Sequence, residues 1–184
     1  ETLSNIVINA FWRKGAISKE FFRWLVDELK WLFDADDVFW LKFIRNSQKM
    51  VDVDELLGNE KEIYFAKKSD AGFGCNVRIF DCENEFSKNH NHVSVHMDNI
   101  NFRDANVINR IKEFSVRLAK KTDPYFQFAC NPGDSDIAYG VGGSGIGAGL
   151  RDVYWINIYG KPFVDLIGEE RLLGLKSMAS VESI

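Results

Sequence analysis

Apolar positions recur along this chain at two periods, and the switches between them outline the fold. Residues 6–11 (IVINAF) are β-branched and aromatic and predict an opening strand. Ser18 then offers an N-cap. Over 19–33 the residues Phe22, Leu25, Val26, Leu29, Leu32 and Phe33 recur at spacings of three and four, which places them on one helix face. Trp24 and Trp31, seven residues apart, line up on the opposite face. There they either bury a second surface of the helix or stay exposed for a partner. Residues 38–44 (VFWLKFI) are apolar enough for a central strand.

The stretch 52–62 is acidic and polar, with room for a short helix at 54–57. Residues 72–80 and 92–97 form the clearest strand pair. In the second, Val93, Val95 and Met97 alternate with His92, Ser94 and His96, which predicts one buried and one wetter face. Asp104 caps a second long helix to about residue 121, with Val107, Ile108, Ile111, Phe114 and Leu118 as its core stripe. Lys112, Glu113, Arg117 and Lys120 fall on its other side, and Pro124 stops it. Residues 125–129 and 153–158 read as strands, and 162–167 open a closing helical segment.

The resulting order, β-α-β-(α)-β-β-α-β-β-α, mixes hairpins with two long helices and lacks regular βαβ alternation. An α+β domain follows: a mixed or antiparallel sheet with the two long helices packed on one face. A chain of 184 residues fits a single domain, 1–184. Hydrophobic residues make up 46% and charged residues 27%, a balance that excludes a disordered chain. Aromatics reach 14%, so the core should be rich in rings.

The formal net charge of −4 argues against a nucleic-acid binder, which needs a basic footprint. Cys75, Cys82 and Cys130 show neither a framework nor a CxxC spacing, so reduced, buried thiols are expected. The opening ETLSNIVINAFWRKG carries no secretory pattern, and no apolar run has transmembrane length, so a cytoplasmic location without membrane contact is expected.

Two clusters invite a chemical reading. The first is the glycine-rich stretch GVGGSGIGAG within 133–151, where Gly140, Gly142 and Gly145 match GxGxxG. That fingerprint needs a strand before it and a helix after it. Here NPGDSDIAY precedes it and LRDVYWINI follows, so no helix N-terminus holds a pyrophosphate. A loop is the expectation. The second cluster is His90, His92 and His96. On one extended strand, i and i+2 side chains lie about 7 Å apart and i and i+6 about 20 Å, so one ion cannot collect all three. His90 and His92 could chelate only with a carboxylate such as Glu83 or Asp98. No metal and no cofactor are expected.

No nucleophile is marked either. Gly143-Ser144-Gly145 lacks the spacing of a nucleophile elbow, and Asp134 and Asp136 are a carboxylate pair without a visible pocket. No catalytic residue is assigned, and the chain is not expected to be an enzyme. Charge is more informative. Asp34, Asp36 and Asp37 follow the first helix, and Asp52, Asp54, Glu55, Glu60 and Glu62 follow the second strand. Such acidic segments can steer a basic partner, and Asp34, Asp36, Asp37, Asp52, Asp54 and Glu55 are the candidate contact set.

The block 152–172, DVYWINIYGKPFVDLIGEERL, places Trp155, Asn157, Tyr159, Gly160, Phe163, Val164, Ile167 and Gly168 in one strand–turn–helix phrase. Trp155, Asn157 and Tyr159 share one strand face, and Tyr154, Ile156 and Ile158 the other. Gly160 permits a tight or left-handed turn, Pro162 suits a first helical turn, and Gly168 is placed to end the helix. The phrase resembles the C-terminal signature of immunity proteins from bacterial polymorphic-toxin and type VI secretion systems. It is closest in style to the family called immunity protein fifty-two, whose phrase runs W-x-N-x-[FY]-G, an aromatic, then I-G.

The resemblance implies a protein that binds a cognate toxin domain, often a nuclease, and blocks it. An acidic balance then suits a toxin with a basic substrate-binding surface. The competing expectation is a small-ligand- or metal-binding domain, or an enzyme, built from the glycine-rich loop and the histidine cluster. A structural adaptor without a toxin partner is a third.

Overall fold

Strand β1 (Leu3–Arg13) runs through the middle of a five-stranded sheet, because both of its faces carry side chains that must leave water. Ile6, Val7, Ile8 and Ala10 are all buried, and a strand buried on both sides belongs at a sheet's centre. The structure, a computed structural model, describes residues 3–13, 18–33, 39–44, 47–51, 64–66, 75–80, 90–131 and 155–174. The remaining strands are β2 (Phe39–Ile44), β3 (Ser47–Val51), β4 (Tyr64–Ala66), β5 (Cys75–Phe80), β6 (His90–Asn101), β7 (Phe126–Cys130) and β8 (Ile156–Tyr159). The helices are α1 (Lys19–Phe33), α2 (Ala105–Thr122), α3 (Lys161–Ile167) and α4 (Glu169–Gly174).

The large sheet has the order β5-β6-β1-β7-β8, and a second, three-stranded sheet has the order β3-β2-β4. Every ladder among them is antiparallel. Strands β6 and β7 flank β1, so they run parallel to each other, and α2 makes the crossover that such a pair requires. Strand β4 lies beside β5, which brings the small sheet to the outer edge of the large one.

Both long helices cover the same face. Phe21, Phe22, Leu25, Leu29, Leu32 and Phe33 of α1 and Ile111, Phe114 and Leu118 of α2 pack on Ile6, Ile8, Ala10, Val93, Val95, Met97 and Ala129. Each of the larger of these side chains contributes about 1.5–3 kcal/mol by leaving water, the main force joining helices to sheet. Local signals fix the helix ends. The Ser18 hydroxyl accepts from the Phe21 N–H at 3.2 Å. Asp104 accepts from Asn106 and Val107 at 2.9 and 3.4 Å. The α2 C-cap, Asp123, is left-handed at φ 46° and donates its N–H to Ala119 O at 2.9 Å. Pro124, with no N–H, then prevents continuation.

Expectation and structure part at definite places. Strands β3 and β4 lie in stretches without strong alternation; their ladders with β2, such as Lys42 opposite Lys49 and Trp40 opposite Phe65, come from pairing with a neighbour. The short helix at 54–57 falls outside the described residues. On α1, Trp24 and Trp31 are half-buried and face α2, with Lys121 Nζ 5.5 Å from the Trp24 ring and the Arg117 guanidinium 4.1 Å from that of Trp31. The first of the two alternatives for this tryptophan pair therefore holds. Arg117 also bonds Glu28 of α1 at 3.1 Å and Glu113 of its own helix at 2.6 Å. Those carboxylates, Glu113 first, raise the guanidinium pKa above its ordinary value.

Candidate functional site

The sheet face turned away from α1 and α2 carries His92, His96 and the signature strand. Its rows follow from the ladders. Phe11 lies opposite His92 and Phe126, Asn9 opposite Ser94 and Phe128, and Val7 opposite His96 and Cys130. On β8, Tyr159 continues the first row and Asn157 the second. This face was expected to be the wetter one. Instead Asn9 and Ser94 are fully buried and His92 is 4% exposed.

Burial forces these polar groups onto one another. The His92 ring stacks on Phe11, with centroids 4.3 Å apart and planes 5° from parallel. Its Nε2 lies 2.9 Å from Asn9 Oδ1, so with the amide oxygen facing the ring, Nε2 is the donor. His96 Nε2 lies 3.0 Å from the Ser94 hydroxyl. Asn9 Nδ2 is buried without a hydrogen-bond partner among the described residues. Of the histidine cluster, then, His92 is a packed and bonded core residue, and His96 is tied to Ser94. His90 contributes backbone to the ladder opposite Arg13. Among the described residues no three His, Cys, Asp or Glu side chains are grouped to hold a metal ion.

The signature block builds one end of this face. Tyr159 stacks on Phe126 at 5.3 Å, and Phe163 of α3 meets the same ring at 5.5 Å. Gly160 is the α3 N-cap and donates its N–H to Tyr125 O at 2.9 Å. Its φ is −74°, so of the tight or left-handed turn expected there it is the tight one that forms, a single residue between β8 and α3. Glycine is required for a different reason: a Cβ would lie 1.7 Å from the Pro124 carbonyl oxygen. Gly168 does have positive φ, 90°, and ends α3 with its N–H on Val164 O at 2.9 Å. Tyr159, Gly160 and Gly168 are thus all engaged by the packing and backbone bonds of this corner.

Trp155 differs. It precedes β8, is 38% exposed, and meets the 42% exposed ring of Phe102 edge to face at 5.4 Å. Phe102 sits in the turn between β6 and α2, a position the sequence reading passed over. The available signal was an aromatic two residues ahead of a helix cap, where the turn has no need of one.

The candidate acidic set, Asp34, Asp36, Asp37, Asp52, Asp54 and Glu55, lies outside the described residues, as do the glycines at 140–149 and the carboxylates Asp134 and Asp136. The described charge has the other sign. Helix α2 carries Arg110, Lys112, Arg117, Lys120 and Lys121 against Glu113 alone, a net +4 on a chain of −4, which leaves −8 for the rest.

No family model matches the chain, and no curated protein does. Two solved structures resemble it in part. One is a type VI secretion protein of Pseudomonas aeruginosa, at TM-score 0.47 and 9% identity over 72% of this chain; the match spans 44% of that protein's length. The other is the toxic C-terminal tip of CdiA from Pseudomonas aeruginosa in complex with immune protein, at TM-score 0.38 and 14% identity, over 72% of this chain and 90% of that one. At these scores and identities neither carries a functional argument, and the site rests on its own residues.

Proposed function

We propose that this chain is an immunity protein that binds a cognate secreted toxin, a nuclease in the first instance, and neutralises it by occluding its active or substrate-binding surface. The observation that carries this reading is the terminal phrase. Trp155, Asn157, Tyr159, Gly160 and Gly168 resemble the immunity-protein signature as a string, and they fold as one strand–turn–helix unit. Of these five residues Trp155 is the exposed one, and the other four are half-buried. The net charge of −4 suits a basic partner surface, with Asp34, Asp36, Asp37, Asp52, Asp54 and Glu55 as its proposed contacts.

The competing metal or ligand site loses its best support at His92, whose ring is occupied by Phe11 and Asn9. The reading also needs no membrane anchor within the described helices, none of which is long and apolar enough to cross a bilayer. Co-expression with the product of the adjacent gene, the expected toxin, followed by affinity purification, tests it. A stoichiometric complex that survives gel filtration is expected; two separately eluting proteins would sink the proposal.

A further inference from the structure

We draw no further inference here: the strongest candidate, the apolar surface patch that Phe102 and Trp155 make where the turn between β6 and α2 meets the start of β8, carries none because nothing in the structure shows what covers it.

Discussion

Gly160 and Pro124 meet backbone to backbone: a Cβ on residue 160 would stand 1.7 Å from the Pro124 carbonyl oxygen. The contact locks the turn after β8 onto the segment that leaves α2, and the Gly160 N–H to Tyr125 O bond closes it. Backbone atoms cannot rotate away as a side chain can. Gly160→Ala is therefore expected to cost about 2–4 kcal/mol, read as a lower urea midpoint. Gly168→Ala has open space around it and suffers only from φ 90°, so about 1–3 kcal/mol is expected there. Equal tolerance of alanine at both positions would contradict this account of the turn.

The Asn9–His92 pair should behave as a unit. Asn9→Ala leaves the buried His92 Nε2 without its acceptor, an expected loss of about 1–3 kcal/mol. His92→Phe keeps the stack on Phe11 and strands the Asn9 oxygen instead. A double-mutant cycle on chemical denaturation should give a coupling of about 0.5 kcal/mol or more, the double variant being less damaged than the sum of the singles. Strict additivity would mean the contact contributes nothing.

Asp104 closes the N-terminus of α2 with one carboxylate oxygen shared by two N–H groups. Asp104→Ala is expected to lower stability by about 0.5–2 kcal/mol, while Asp104→Asn, a capping residue of nearly equal rank, should cost much less. Thermal unfolding of the two variants makes the comparison.

Glu20, in the first turn of α1, has its pKa held below the ordinary 4.5, first by its own backbone N–H and next by the Ser18 hydroxyl. A carboxylate with a lowered folded pKa stabilises the protein at pH values above its unfolded pKa, and that contribution is lost as pH falls through the folded value. Carbon-detected NMR titration should find Glu20 titrating below 4.5, and Ser18→Ala should move it upward. A midpoint at or above 4.5 in the wild type would contradict the cap geometry.

How much of this was legible in the chain depended on how local each signal is. Helix α1 can be read from Ser18 and the spacing of Phe22, Leu25 and Leu29, and α2 from Asp104, its stripe and Pro124, because cap and stripe sit within a few residues. The β6 alternation was visible, but its meaning was not. His92 and Ser94 looked solvated, yet the sheet is buried on both faces, and the acceptor for His92 stands on β1. Strands β3 and β4 depend on ladders with β2 more than on their own patterns. The tight turn at Gly160 could be read from the chain, but the Pro124 carbonyl that forbids a side chain there could not, being far away in sequence. The Phe102–Trp155 pair was invisible for the same cause: neither residue announces the other.

The central claim is neutralisation, and growth measures it directly. Cells induced for the toxin encoded beside this gene are compared with and without this chain. The account predicts arrest with the toxin alone and near-normal growth when the chain is co-expressed. Arrest that persists at full expression of a folded wild-type chain would contradict it.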